Sequence, residues 1–137
     1  MADLKSLSRQ HEDILEVAAR IGNHGIPERV KANSFEILLL LSELAGKLSV
    51  HLATEDKYLY PKLKGHSDAR IRETSSAFEA EMGDLSSVFK AFKAKYSTTG
   101  QIGEASAEFL QDFQLIRTAL TTRIAKENQR LYPLLEE

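Results

Sequence analysis

Apolar side chains recur at steps of three and four residues along most of the chain, which is the spacing of one face of an α-helix. The pattern predicts four helices, over residues 3–21, 27–64, 69–95 and from about 104 onward, with a loose turn around Ile102 before the last. Short runs rich in glycine, serine, threonine and asparagine separate them, and no segment alternates as a β-strand does. The chain is therefore predicted to be all-α.

Long helices joined by short connections favour antiparallel neighbours, so the predicted architecture is an up-down-up-down four-helix bundle. A chain of 137 residues is long enough to bury one hydrophobic core, and no linker divides it. We therefore expect a single domain over residues 1–137.

Several polar side chains fall on the apolar faces of these helices, where the other residues are apolar or small. They are His11, His51, Glu55, Arg123 and Glu127, with Tyr58 one turn beyond Glu55. An unpaired charge is costly to bury, so these groups must meet one another, a metal ion or a water-filled cavity.

The segment from His51 to Pro61 has a second copy near the end of the chain. The matched positions are Ala53 and Ala125, Glu55 and Glu127, Leu59 and Leu131, Tyr60 and Tyr132, Pro61 and Pro133, and Leu63 and Leu135. His51 and Glu55 lie four residues apart on one helix face, a spacing typical of metal ligands, but the second copy has Arg123 in place of the histidine. Pro61 is expected to kink or end its helix, with a last turn that carries Leu63 inward.

The composition limits the partners and the chemistry. The chain has no cysteine, so any metal must be bound by nitrogen and oxygen. A net charge of -2, with basic and acidic residues interleaved, gives no patch for nucleic acid or an anionic membrane. No apolar window reaches the length of a membrane span and no secretory signal is visible, so we expect a cytoplasmic protein. Common catalytic motifs are absent, which favours a binding role over an enzymatic one.

Taken together, these residues resemble a hemerythrin-like (HHE cation-binding) domain. The resemblance rests on His11 with an aliphatic residue three positions later, on the first copy of the repeat, and on Glu127 with the Leu-Tyr-Pro that follows it. It implies a non-haem iron centre, with His11, His51, Glu55 and Glu127 at ligand positions. The third-helix positions Phe78 and Met82, and Arg123 on the fourth, do not match the family's histidines.

Two hypotheses follow from this incomplete ligand set. In the first, the four matching residues bind one iron or manganese ion, rather than a di-iron pair, for oxygen, redox or iron sensing with a small diatomic ligand. In the second, no metal is bound, Arg123 clamps Glu55 and Glu127, one protonated histidine completes the charge balance, and the domain is an interaction or regulatory module. A homodimer or a protein partner is compatible with either hypothesis.

Polar side chains outside this set have simpler expected roles. His24 and His66 are predicted to lie in connecting loops, exposed to solvent. Tyr60 and Tyr132 are expected to cap the same end of the bundle.

Overall fold

The structure of the chain is a computed structural model that describes residues 4–82 and 84–135, apart from the side chain of Met82. Within these residues the regular secondary structure is entirely helical, as predicted. The first helix, α1, spans Leu4–Gly22. One face of it is buried, and that face consists of Leu7, His11, Ile14, Val17, Ala18 and Ile21.

The second predicted helix is present but interrupted. It consists of α2 (Pro27–Ala32), α3 (Ser34–Thr54), a π-helical turn (Glu55–Leu59) and α4 (Tyr60–Lys64). The break falls at Asn33, whose side-chain amide donates to the carbonyl oxygen of Arg29 at 2.8 Å. Such local side-chain bonds offer the backbone an alternative to the helix.

The third predicted helix is also divided, into α5 (Ala69–Met82) and α6 (Leu85–Lys95). The sequence between them contains Gly83, which lies outside the described residues. Glycine in a helix interior costs about 1 kcal/mol relative to alanine, which is the sequence feature that favours a division here.

The last part of the chain begins earlier than expected. A short helix, α7 (Thr99–Glu104), replaces the predicted loose turn around Ile102, because Thr98 and Gln101 form a capping box at its start. It is followed by α8 (Ser106–Lys126), a second π-helical turn (Glu127–Leu131) and a 3₁₀ turn (Tyr132–Leu135).

The two π-helical turns occupy equivalent positions in the two copies of the repeat. The N–H of Tyr60 donates to the carbonyl of Glu55, and that of Tyr132 to the carbonyl of Glu127, each five residues back. The next residue is proline in both copies, and a proline ring clashes with the carbonyl four residues before it in an α-helix. The wider turn before each proline relieves that clash.

The first π-helical turn changes which side chains face inward. Tyr58, predicted to share the face of Glu55, is 46 % exposed, whereas Leu59, Tyr60 and Leu63 are buried. The prediction for Tyr58 was wrong because it continued the α-helical spacing through a turn that contains an extra residue. The expected last turn carrying Leu63 inward is present.

Two connecting histidines also differ from expectation. His24 is only 8 % exposed. Its backbone N–H donates to the carbonyl of Ile21, which holds this short loop against the end of α1. His66 is half-buried, and its Nδ1 accepts the backbone N–H of Asp68 at 3.0 Å. Both side chains were predicted to be exposed to solvent, and neither is.

Contacts between the helices fix their relative directions. In α1 and α3, Arg20 pairs with Glu43 and Gln10 with His51, so these two helices run antiparallel.

The third and fourth helical segments are related in the same way. Lys126 at the end of α8 pairs with Glu81 of α5, and Asp112 near the start of α8 pairs with Lys95 at the end of α6. The segment from α5 to α6 therefore runs antiparallel to α8.

The buried apolar residues form two clusters. The larger is built around aromatic rings of α6 and α8, among them Phe92, Phe109 and Phe113. The smaller contains Leu7, Leu59 and Leu131. Along α1, α3 and α8, the polar interior positions lie between residues of these two clusters.

One segment passes a composition test for a membrane span. Ser34–Lys64 is long enough, and its most apolar 18-residue window has a mean hydropathy of 1.4. This corrects the expectation that no window is sufficiently apolar. It is weak support for a membrane, because the core helix of a soluble protein passes the same test and 39 % of the window is buried within the protein.

Tyr96 and Asp112 provide a test of the packing between α6 and α8. Tyr96 is 1 % exposed and its hydroxyl donates to Asp112 Oδ2 at 2.5 Å. Asp112→Ala should lower the free energy of unfolding by about 1–2 kcal/mol, because the buried hydroxyl loses its acceptor. Glu108→Ala is the matched control, since Glu108 pairs only with the exposed Lys95 in this cluster, and it should unfold in urea close to wild type.

The hydrogen bond between Tyr96 and Asp112 should also make the stability of the protein depend on pH. The hydrogen bonds from Tyr96 and Lys95 hold the pKa of Asp112 below its ordinary value. The stabilisation is therefore complete at neutral pH and is lost as the pH falls through that lowered pKa. The stability difference between wild type and Asp112→Ala should shrink in acid, and a difference that is unchanged in acid would contradict the assignment.

Candidate metal centre

The polar side chains predicted to share the interior meet between the two apolar clusters. His11 and His51 are each 2 % exposed, Glu55 and Glu127 are 0 % exposed, and Arg123 is 7 % exposed. The histidines come from α1 and α3 and the arginine from α8, while the two glutamates are the first residues of the two π-helical turns. π-Helical turns inside α-helices are frequent at functional sites.

Both imidazole rings direct Nε2 at the carboxylates and Nδ1 at an amide. His11 Nδ1 lies 3.0 Å from Asn128 Oδ1, and His51 Nδ1 lies 2.7 Å from Gln10 Oε1. An amide oxygen only accepts hydrogen bonds, so each Nδ1 donates. In a neutral ring, the lone pair is then on Nε2 and faces the centre.

The two carboxylates divide their oxygens between opposite sides. Glu55 Oε1 accepts from Arg123 Nη2 at 3.1 Å, and Glu127 Oε2 accepts from Arg123 Nε at 3.2 Å. The predicted clamp of Arg123 on both carboxylates is therefore present. The other oxygens face the imidazoles: Glu127 Oε1 lies 2.7 Å from His11 Nε2, and Glu55 Oε2 lies 3.5 Å from His51 Nε2.

This arrangement directs lone pairs of the imidazoles and of the carboxylates toward one another. With both rings neutral, His11 Nε2 and Glu127 Oε1 are two acceptors 2.7 Å apart, which is favourable only if a proton or a metal ion lies between them. Arg123 cannot fill this position because it binds the other oxygen of Glu127.

Tyr132 belongs to the centre rather than only to the end of the bundle. Its hydroxyl donates to Glu55 Oε2 at 2.8 Å and lies 3.0 Å from His11 Nε2. Its ring stacks on that of His11, with centroids 5.2 Å apart. The expected capping role is incomplete for Tyr132: it shares the smaller apolar cluster with Tyr60, and in addition the π-helical turn directs its hydroxyl toward the centre.

Burial decides the charges of the metal-free centre. Burial, reinforced by the nearby charge of Glu127, raises the pKa of Glu55 to about 9. Burial alone would also raise the pKa of Glu127, but its side-chain contacts with His11, His51 and Glu55 and the charge of Arg123 hold that pKa well below its ordinary value. Burial lowers the pKa of His51.

These directions bear on the expected charge balance. The charges of ionised Glu127 and protonated Arg123 compensate each other, and burial favours the neutral form of Glu55 by raising its pKa. Burial also disfavours protonation of His51 by lowering its pKa. The expectation that one histidine of the metal-free centre is protonated stays a prediction.

The third helical segment supplies no imidazole to the described centre. Phe78 is 4 % exposed and packs in the smaller apolar cluster. The side chain of Met82 lies outside the described residues. Among the residues that the structure describes, the possible metal-binding group consists of His11, His51, Glu55 and Glu127.

The donor atoms of this group lie close enough together that they could hold a metal ion. They all lie within 4.8 Å of one another. Metal–ligand bonds of about 2.1 Å place neighbouring donor atoms about 3 Å apart and opposite ones about 4 Å apart. Two imidazole nitrogens and two carboxylate oxygens suit iron(II) or manganese(II).

Sequence reasoning did not find Gln10 and Asn128, which orient the two imidazoles. Gln10 is half-buried and Asn128 is exposed, so neither interrupts an apolar face. The available signal was adjacency, since Gln10 precedes His11 and Asn128 follows Glu127. Partners of this kind commonly fix the tautomer and orientation of metal-binding histidines.

The equivalent tyrosines of the repeat provide a matched test. Tyr60 is buried and its hydroxyl has no hydrogen-bond partner among the described residues, whereas that of Tyr132 donates to Glu55. In metal-free protein, Tyr132→Phe should lower the free energy of unfolding by about 1–3 kcal/mol, because it leaves a buried carboxyl oxygen without its donor. Tyr60→Phe should be neutral or stabilising in the same urea titration. Equal losses in the two variants would contradict this description of the centre.

Comparison with known proteins agrees with this geometry. The family model described as the hemerythrin HHE cation-binding domain matches residues 2–135. No match to the chain is found among the curated proteins or among the solved structures. The resemblance seen in the sequence is confirmed, and because the family model spans all but the first and the last two residues, the chain belongs to the hemerythrin HHE cation-binding domain family.

Proposed function

We propose that this domain binds one iron or manganese ion through His11, His51, Glu55 and Glu127. The observation that carries the proposal is the convergence of four acceptor atoms, two imidazole Nε2 and one oxygen from each carboxylate, in a dry interior. Gln10 and Asn128 support it by holding both imidazoles with Nε2 inward.

The proposed centre is mononuclear because Arg123 contributes the second cation. Its guanidinium binds one oxygen of each carboxylate, on the side away from the imidazoles. A second metal ion would require those same two oxygens. Arg123 remains protonated at every physiological pH, so no change in conditions releases them.

The proposed role is sensing or reversible binding rather than turnover. The ion would supply an open coordination position for a small diatomic ligand, since four protein donors leave an octahedral ion incomplete. The protein side chains orient that ligand and exclude water from it. Tyr132 would orient the Glu55 carboxyl group at this position, because its hydroxyl donates to Glu55 Oε2.

The stoichiometry of bound metal tests this proposal. Protein purified without chelator, or loaded anaerobically with iron(II), should contain about one ion per chain by elemental analysis. His51→Ala should lose most of it, because one of two nitrogen donors is gone. His24→Ala is the matched control, since His24 is also buried but lies outside the centre, and it should retain the metal.

Nitric oxide tests the open coordination position. Added to the iron(II) protein, it should produce a visible absorption band that His51→Ala lacks. In the elemental analysis, two ions per chain would overturn the mononuclear assignment. The absence of metal from both wild type and His51→Ala would overturn metal binding.

A second candidate is a metal-free regulatory or interaction module. It is favoured by the ion pairs of Arg123 and the hydrogen bond from Tyr132, which together satisfy both carboxyl groups without a metal. The two candidates differ in what holds the charges of Glu55 and Glu127.

Arg123→Met separates them through stability. In metal-free protein the variant should lose about 3–5 kcal/mol, the usual cost of leaving a buried ionic group without its partner. In iron-loaded protein the loss should be much smaller, because the ion compensates the carboxylates. Urea unfolding of both forms measures the difference, and an equal loss with and without added iron favours the metal-free module.

The architecture and the partners are part of the same proposal. The antiparallel pairing of α1 with α3 and of the α5–α6 segment with α8 supports an up-down-up-down four-helix bundle as a single domain. The low net charge, with basic and acidic residues interleaved, supports a protein without nucleic-acid or anionic-membrane partners. A cytoplasmic location stays a prediction.

A further inference from the structure

A cavity of about 900 Å³ lies between α3 and α6, separate from the donor atoms of the metal centre. Its apolar walls include Leu48 and Leu52 of α3 and Phe89 of α6. It extends to Tyr60 and to Arg123, and its rim includes exposed residues such as Lys90. A volume in this range, with apolar walls and a few polar groups, is typical of a small-molecule site.

Tyr60 contributes to the wall of the cavity, but its hydroxyl does not select the occupant. Tyr60 is 2 % exposed, and its hydroxyl oxygen is enclosed by protein atoms and forms no hydrogen bond with any described residue. A molecule in the cavity therefore does not reach that oxygen, and the polar groups available to it are those nearer the rim.

The charges on the lining indicate the sign of the occupant. Lys90 and Lys93 lie one turn apart on α6, and neither forms an ion pair or hydrogen bond within the described part of the chain. Of the two acids on the lining, Glu79 already pairs with Lys64, which leaves Asp56. Lys93 is half-buried, so a carboxylate beside it would be partly shielded from water.

We propose that the cavity between α3 and α6 binds an organic acid with an apolar body, whose carboxylate pairs with Lys90 and Lys93. The apolar body lies against Leu48, Leu52 and Phe89. The site does not depend on a metal being bound. Its inner end includes Arg123, so an occupant would contact the residue that bridges both carboxylates of the metal centre.

Matched probes test the chemical class. Decanoate, below its micellar concentration, should bind the full-length chain with one saturable site in calorimetry. Decanol has the same apolar body without the charge, and it should bind at least tenfold more weakly. Equal affinity for decanoate, decanol and decylammonium would overturn the proposal, because it would indicate an apolar surface that does not select an anion.

Adjacent residues of α3 test the location. Ser49 and Val50 are both exposed, but only Ser49 lines this cavity. Ser49→Trp should weaken decanoate binding at least tenfold, whereas Val50→Trp should leave it unchanged. An equal effect of the two substitutions, or none from either, would place the probe elsewhere and overturn the proposal.

A double substitution tests the polar contacts. Lys90→Gln with Lys93→Gln should weaken decanoate binding about tenfold and leave decanol binding unchanged. Tyr60→Phe is the control, because its hydroxyl is enclosed by protein atoms, and it should leave the affinity for decanoate unchanged. If the lysine substitutions affect both probes equally, the assigned contacts are wrong. Because every titration is done in metal-free and iron-loaded protein, failure here is distinguishable from failure of the metal centre.

Discussion

The structure depends on charge compensation in a part of the interior that water does not reach. Two glutamates that are 0 % exposed lie between two apolar clusters, where an isolated carboxylate is costly enough to change its protonation or unfold the protein. Arg123 and Tyr132 meet part of this requirement, and a proton or a metal ion between His11 and Glu127 meets the rest. The helices that carry these side chains are held in register because no member of the set can be displaced alone.

Helical spacing was sufficient to predict most of the fold and the residues of the centre. His11, His51, Glu55, Arg123 and Glu127 were identifiable because each interrupts an apolar face, and a polar interruption of that kind has few explanations. The divisions at Asn33 and after Met82 were not predicted, since the apolar spacing continues across both. Such breaks depend on local side-chain hydrogen bonds and on the free-energy cost of glycine in a helix. Neither changes the spacing of the apolar residues.

The errors within the centre share one physical origin. A search by α-helical spacing assumes the same rotation at every residue, and both π-helical turns violate that assumption directly after a glutamate. Tyr58 was therefore placed inside, whereas it is exposed, and Tyr132 was assigned only to the end of the bundle, whereas its hydroxyl also reaches Glu55. Gln10 and Asn128 were missed for a different reason, because they act from the margins of the interior through a single amide oxygen each.

The guanidinium of Arg123 is a cation of the centre that is permanently attached to the chain. A cation that is covalently part of the chain cannot be removed by chelators, competing proteins or starvation for iron, whereas a coordinated ion can. If one ion is bound as proposed, Arg123 keeps its share of the charge compensation after that ion leaves. Occupancy would then follow the supply of metal while the polypeptide remains folded.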